Sequence, residues 1–220
     1  MLQRFWEAPE PQGEAAPKPF QNPSRHMDCF GSAMRQIASL LTVLLAFSAG
    51  AFASASSPMI VVSVPDQRLA VVENGVCTAQ YSVSTSKFGV GDRPRSFATP
   101  LGMLQVAAKV GTNAPVGAVF RGQRQTGEVL RPNAPGRDPI VTRILHLRGL
   151  EAQNARAFGR GIYIHGTAEE RRIGRPASYG CIRMRSRDVV RLFDSVSVGA
   201  RVEIVNARMR SALPAAVASL

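Results

Sequence analysis

A cysteine and a histidine sixteen positions apart are the residues of this chain that could do chemistry together. His165 stands in the run Gly161-Ile-Tyr-Ile-His-Gly-Thr167, and Cys181 stands in Ser178-Tyr-Gly-Cys-Ile-Arg-Met184. A cysteine nucleophile needs a base that takes the thiol proton and N–H groups that hold the oxyanion. The two runs offer these groups, so the sequence predicts a thiol-dependent active site with Cys181 as nucleophile and His165 as general base.

The residues around Cys181 have predicted supporting roles. The backbone N–H groups of Tyr179, Gly180 and Cys181 are the natural donors to an oxyanion, because Gly180 allows close approach. Ser178 fits a hydrogen-bonding or turn residue better than a second nucleophile. Arg183 has two readings that stay open: it binds a substrate carboxylate in a bidentate manner, or it pairs with Asp188 and fixes the loop.

Two further residues are alternatives to this reading. His146 could be the base, but it lies opposite two leucines of a strand and fits a polar or groove-lining residue. Cys77 could form a disulfide with Cys181 in an oxidising compartment. Because Cys77 alternates with Ala79, Tyr81 and Val83, we expect all four on one buried strand face, where a cysteine is an inert small hydrophobe.

The N-terminal region has the composition of an extension and an export signal. Residues 1–33 are rich in Pro, Gln, Glu and Gly without an apolar period, which predicts disorder. Residues 34–53 contain a basic start, an apolar run and the small-residue pattern Ala51-Phe-Ala53, as in a secretory signal peptide. An uncleaved membrane anchor is the alternative, although the apolar run is short for a span. Either reading predicts export.

The charge is strongly positive, with 27 Lys and Arg against 15 Asp and Glu. Residues 1–53 hold four of each sign, so the whole excess of +12 falls on residues 54–220. Such a domain attracts polyanions, including an acidic wall polymer. Basic runs interleaved with aromatic residues do not occur, so we predict no nucleic-acid partner.

Short alternating strands predict a mainly β domain, of the β-rich α+β class, over residues 58–205. Asn74-Gly75 indicates a hairpin turn, and residues 111–140, without a clear period, predict a long ordered loop or flap. A short helical stretch is predicted around Leu150–Phe158. Residues 186–195 predict an amphipathic helix directly after the cysteine block, with Ser186 as its N-cap. Residues 206–220 are expected to form a tail without chemistry.

These motifs together resemble the YkuD-type L,D-transpeptidase family. The resemblance rests on His165-Gly-Thr, on the block around Cys181 and on Thr99-Pro-Leu-Gly102, and it covers about residues 58–205. It implies a YkuD-like mixed β-sandwich and an acyl transfer on peptidoglycan stem peptides, with release of D-Ala and joining of the acyl group to an amine. It also adds Gly166 and Thr167 to the substrate-binding set.

The resemblance leaves the exact reaction and the acceptor open. Tyr179 stands where the family often has a second histidine, which bears on rate or acceptor choice. The acceptor could be another stem peptide or an outer-membrane lipoprotein. Hydrolysis, as an L,D-carboxypeptidase or amidase, and a non-catalytic wall-binding domain are the alternative functions. The spacing of the three Cys and three His predicts no metal site, and no glycine loop predicts a nucleotide cofactor.

Overall fold

Ten β-strands joined in one sheet form the framework of the described residues. The structure, a computed structural model, describes residues 57–213 of the 220-residue chain. The predicted extension 1–33, the signal-like segment 34–53 and the chain from residue 214 onward lie outside the described residues. The mainly β class, with a helix directly after the cysteine block, is confirmed.

The bounds of the elements follow the chain. The strands are β1 Met59–Ser63, β2 Arg68–Glu73, β3 Val76–Ser82, β4 Gly102–Val110, β5 Ala118–Arg121, β6 Arg124–Val129, β7 Ile140–Gly149, β8 Tyr163–Thr167, β9 Ile182–Met184 and β10 Arg201–Val205. The helices are α1 Ser186–Ser195 and α2 Met209–Ala212, with 3₁₀ turns at Ala152–Asn154 and Glu170–Arg172. In the described part of the chain, none of these helices has the length and apolar character that a membrane crossing requires.

Strand β7 is the branch point of the sheet. The main path runs β3-β2-β1-β10-β4-β7-β5-β6, while β8 pairs with β7 and then with β9. Ile144 of β7 pairs with Val110 of β4 and with His165 of β8, so β4 and β8 lie on opposite edges of β7. The strand that carries His165 is therefore held between β7 and β9.

The main core explains why these segments form strands. Alternate apolar residues point into one buried cluster, for example Ile60 and Val62 of β1 and Leu69 and Val71 of β2. The predicted turn joins β2 to β3: Asn74 and Gly75 both have positive φ, 51° and 77°, as a type I′ hairpin requires.

Helix α1 covers this core beside β7 and β8, and its buried side chains include Val189, Leu192 and Phe193, as predicted. The prediction of Ser186 as N-cap is wrong, because Arg185 holds that position. The N–H of Ser186 instead donates to the Glu170 carboxylate at 2.8 Å. A distant acceptor from the loop before Cys181 thus replaces the local cap that the sequence suggested.

A β-bulge in β3 separates Cys77 from its predicted neighbours. Val71 pairs with Ala79, but the next residue, Val72, pairs with Cys77, so Thr78 is the extra residue. Ala79 packs on the main core, whereas Cys77 faces the opposite side of the sheet. The prediction that Cys77 shares the face of Ala79 is therefore wrong. Cys77 is buried, as expected, and both Cys77 and Cys181 are free thiols.

Residues 111–140 contain a β-hairpin, β5–β6, where the sequence predicted a loop. Every residue of β6 is exposed, so the strand has no buried face and no apolar period. The turn of this hairpin reaches the strand of the site, since the Gln123 amide donates to the Tyr163 hydroxyl at 3.3 Å. The predicted helical stretch at Leu150–Phe158 is limited to the 3₁₀ turn Ala152–Asn154.

The chain continues its fold after β10, where the sequence predicted a tail. The N–H of Met209 donates to the Asp66 carboxylate at 2.7 Å. Met209 and Leu213 then pack with Cys77 and two residues of β1 and β2 in a second, smaller core. Helix α2 therefore seals the face of the sheet opposite the main core.

Candidate active site

The parallel pair β8 and β9 places Cys181 beside the strand of His165. Ile164 pairs with Ile182, and His165 pairs with Arg183. Both isoleucines are fully buried in the main core, which fixes the register of the two strands. Cys181 directly precedes β9, so it lies next to the beginning of β8.

The Cys181 thiol is neutral at rest. Its side chain is half-buried, and Sγ donates to the carbonyl of Gly161 at 3.3 Å. Burial raises the pKa of the thiol to about 11, against the opposing effects of the Tyr163 N–H and of the charges of Arg160 and Arg183. The thiolate therefore has to form during attack, with a base close by.

His165 has the protonation state of a base. Its Nδ1 donates to the Gly166 carbonyl at 2.7 Å, and because a carbonyl only accepts, Nδ1 carries the proton. Nε2 is then an acceptor, and no residue of the range 57–213 donates to it. The side chain is only 6% exposed, and burial lowers the pKa of the imidazole to about 4. At neutral pH the site thus holds a neutral thiol and a neutral imidazole.

Ser178 organises the turn that leads into Cys181. Its hydroxyl accepts from the Gly180 N–H at 3.2 Å and donates to the Cys181 carbonyl at 2.6 Å. This is the hydrogen-bonding role that the sequence suggested for Ser178. Within residues 57–213, the N–H groups of Tyr179 and Cys181 have no such acceptor, which leaves them as donors for an oxyanion.

Gly180 fits where no larger residue would. Its φ is +119°, and a Cβ there would lie 3.2 Å from the Ile162 side chain and 3.3 Å from the Ala98 carbonyl. The buried Thr99 hydroxyl donates to the Gly180 carbonyl at 3.0 Å. Thr99, the first residue of the Thr-Pro-Leu-Gly element that carries part of the resemblance, therefore supports the cysteine turn directly.

Arg183 is buried in an ion-pair network and does not reach Asp188. Only 4% of the residue is exposed, and its guanidinium pairs with the carboxylates of Asp138 and Glu169. It also donates to the Thr167 hydroxyl, at 3.0 Å from Nη2. The predicted pairing with Asp188 is wrong. The other hypothesis, that Arg183 binds a substrate carboxylate, would require Arg183 to give up its ion pairs with Asp138 and Glu169.

Gly166 and Thr167 position other groups of the site. A Cβ on Gly166 would lie 2.6 Å from the Val141 carbonyl, so the glycine allows β7 and β8 to approach. Its own carbonyl orients His165. Thr167 is fully buried against Asp138 and Arg183. The structure thus gives both predicted substrate-binding residues contacts with the protein itself, to His165 for Gly166 and to Asp138 and Arg183 for Thr167.

His146 is a packed side chain. It is buried, its Nε2 donates to the Phe158 carbonyl at 3.0 Å, and its ring stacks on Phe158 with centroids 4.0 Å apart. Burial also lowers its pKa. These contacts occupy the imidazole, so His146 is a buried residue of β7 and is not exposed as a groove-lining residue would be. Across residues 57–213, no three Cys, His, Asp or Glu side chains converge as metal ligands.

An ion pair that the sequence analysis missed ties the loop before Thr99 to the site. Arg160 donates to the Asp92 carboxylate at 2.6 Å and to the carbonyls of Gly91 at 3.1 Å and Ala98 at 2.6 Å. Both side chains are nearly buried. Nothing in the local sequence links residues 92 and 160, because their pairing depends on the tertiary fold.

Replacing Arg160 with methionine is expected to lower the free energy of unfolding by about 3–5 kcal/mol, because it leaves the buried Asp92 charge uncompensated. Urea unfolding followed by circular dichroism measures this loss. The matched control is Arg137→Met, which removes the exposed pair of Arg137 with Glu128. This variant should lose less than about 1 kcal/mol of the free energy of unfolding. Equal small losses in both variants would contradict the buried-pair assignment.

Three exposed aromatic rings surround the entrance to the site. Phe88, Phe97 and Tyr179 have ring centroids 5.4 to 5.9 Å apart, and Tyr179 is 60% exposed. The Lys87 ammonium donates to the Tyr179 hydroxyl at 3.0 Å, which lowers the pKa of that phenol. The Tyr179 side chain therefore points to solvent while its backbone faces the turn.

Comparison with known proteins identifies the class of this mostly β domain. The profile of the YkuD L,D-transpeptidase catalytic domain matches residues 57–204. The chain belongs to this family.

Individual relatives are distant. The putative L,D-transpeptidase YqjB of Bacillus subtilis is 29% identical over 149 residues, which cover 68% of this chain and 72% of YqjB. Two solved structures, an L,D-transpeptidase from Mycobacterium smegmatis and LdtMt1 in complex with imipenem, match 68% of this chain with 17% and 21% identity and TM-scores of 0.43 and 0.44. This chain spans 58% and 59% of their lengths.

Proposed function

We propose that this protein is a peptidoglycan L,D-transpeptidase that uses Cys181 as nucleophile and His165 as general base. The observation that carries the proposal is the placement of a neutral imidazole on β8 and of a neutral thiol on the residue that directly precedes β9, the strand paired with β8. Membership of the L,D-transpeptidase family supplies the reaction class.

The first half-reaction acylates the enzyme. Nε2 of His165 takes the thiol proton as Sγ of Cys181 attacks the carbonyl of the third stem residue, diaminopimelate. The N–H groups of Tyr179 and Cys181 hold the oxyanion. Collapse breaks the C–N bond to the terminal D-Ala, whose amine leaves with the proton from His165. The product on the enzyme is a thioester.

The second half-reaction transfers the acyl group. An amine of the acceptor attacks the thioester carbonyl and loses a proton to His165, and the C–S bond breaks as the new amide forms. His165 then returns the proton to the sulfur, which restores both groups. Water in place of the amine would give a carboxypeptidase, with the same residues in the same roles.

The proposal also includes a location and an amine acceptor for the reaction. The signal-like residues 34–53 favour a periplasmic or wall location, and the excess of +12 on residues 54–220 favours contact with an acidic polymer. The amine acceptor is a second stem peptide or, alternatively, an outer-membrane lipoprotein.

Product analysis tests the proposal. Reduced protein is incubated with diaminopimelate-containing tetrapeptide muropeptides, and the products are identified by mass spectrometry. Loss of D-Ala with a crosslinked dimer is the expected result. Tripeptide alone would assign the carboxypeptidase instead. Unchanged muropeptides, together with retained binding to them, would overturn the enzyme in favour of a wall-binding domain.

A further inference from the structure

A small pocket opens at Gly161, the residue whose carbonyl accepts from the Cys181 thiol. Its volume is about 180 Å³, and it is lined by Arg95, Phe97, Arg160, Gly161, Ile162 and Tyr179. Gly161 therefore links the pocket to the thiol. Because pockets for drug-sized ligands measure roughly 300–1,000 Å³, this one has room only for the end of a chain.

The cations near this pocket differ in their freedom to bind a ligand. Arg160 is committed to Asp92 and two carbonyls, and Arg183 is buried in its own ion-pair network. Lys87 donates to the Tyr179 hydroxyl. Arg95 is exposed, and among residues 57–213 no side chain or carbonyl accepts from its guanidinium. It is therefore the cation that can still take an anion.

The backbone around Arg95 has a strained conformation. Arg95 and Phe97 both have positive φ, 58° and 54°, a strained region that residues other than glycine rarely adopt. Arg160 fixes the following residue, Ala98, through its carbonyl. Two strained residues two positions apart thus line one pocket next to the nucleophile, an arrangement typical of functional sites.

We propose that Arg95 binds the C-terminal carboxylate of the acyl-donor peptide and makes the site select donors that end in a free acid. This inference rests on the proposed function, in which one terminal residue leaves from the carbonyl that Cys181 attacks. The α-carboxylate of that residue is separated from the scissile nitrogen by a single carbon. A carboxylate at that distance from the thiol falls in the adjacent pocket, where a guanidinium can hold it with two hydrogen bonds.

The pocket walls agree with this ligand. Phe97 and Tyr179 give it apolar sides for a short aliphatic terminal residue, while Arg95 supplies the charge. Its small volume disfavours a bulky terminal side chain. Arg95 is then a specificity-determining residue, and Arg160 positions the loop that carries it.

The test compares two donors and two variants. Release of the terminal residue is measured as kcat/KM for a tetrapeptide donor and for its C-terminal amide, with wild type, Arg95→Ala and Arg95→Lys. Arg95→Ala should lose about 10- to 100-fold on the free acid, the effect of losing a hydrogen bond to a charged group. Wild type should lose a similar factor on the amide. On the amide, Arg95→Ala and wild type should agree within about twofold, and Arg95→Lys should recover part of the loss on the acid.

Control variants separate this inference from the proposed function. Arg93→Ala removes an exposed charge of the same loop outside the pocket and should leave both donors unchanged. Equal losses on acid and amide in Arg95→Ala would show a structural role and overturn the inference. If wild type turns over neither donor, the proposed function fails. Binding of the acid and amide peptides to Cys181→Ala, with and without Arg95→Ala, then decides whether Arg95 recognises the carboxylate.

Discussion

Replacing Cys181 with alanine is expected to abolish release of the terminal D-Ala, with a loss on the order of 10⁴-fold or more in kcat, while the fold stays intact. The side chain is half-buried at the end of a loop, so a smaller residue leaves the packing of β8 and β9 unchanged. Turnover by mass spectrometry and circular dichroism of the variant together measure this result.

A covalent inhibitor tests the assignment of Cys181 as the nucleophile. A carbapenem presents a strained carbonyl to the thiol, so wild type incubated with it should gain the mass of one inhibitor, and Cys181→Ala should gain none. The matched control is Cys77→Ala, because Cys77 lies in the second core on the other side of the sheet. It should retain almost full turnover and the adduct. An adduct that survives in Cys181→Ala would contradict Cys181 as the nucleophile.

Replacing His165 with glutamine is expected to lower kcat/KM by about 10²- to 10⁴-fold, the contribution of a positioned general base. Because the thiol pKa of about 11 leaves little thiolate at neutral pH, the reaction depends on His165 for its proton transfer. His146→Gln, which alters a histidine packed against Phe158, is the matched control and should keep most of the activity of wild type.

The pKa of His165 predicts the direction in which kcat/KM changes with pH. Burial lowers its pKa to about 4, so the imidazole is an unprotonated base at any pH above that value. For wild type, kcat/KM should stay level as the pH falls from 8 to about 5 and should decrease as it falls through about 4. His165→Gln should lack this acid limb. A limb near pH 6.5 in wild type would contradict a buried neutral base.

The features that the sequence predicted correctly are local in the chain. The hairpin at Asn74-Gly75, the alternation of Ile162 and Ile164 with Tyr163, and the inward face of α1 all depend on neighbours within a few residues. The runs around His165 and Cys181 are local patterns of the same kind, a strand end and a glycine turn. The roles of Cys181 and His165 remain predictions that the variants above test.

The features that the sequence did not predict depend on tertiary contacts. The bulge at Thr78 changes the face of Cys77, and only the pairing with β2 shows it. Arg183 pairs with Asp138 and Glu169 because β8 and β9 bring them together, and a nearby Asp188 was the misleading local choice. Strand β6 has no buried face, so no alternation of residue type could mark it.

Helix α2 determines where a recombinant catalytic domain should end. A protein cut at Val205, the end of β10, would lack Met209 and Leu213 and would expose Val61 and Ala70 to water. An uncovered apolar sheet face is an aggregation hazard. Expression boundaries drawn from the family match alone, which stops at residue 204, would therefore yield a poorly soluble protein. Extending the chain to Leu213 keeps the sheet covered on both faces.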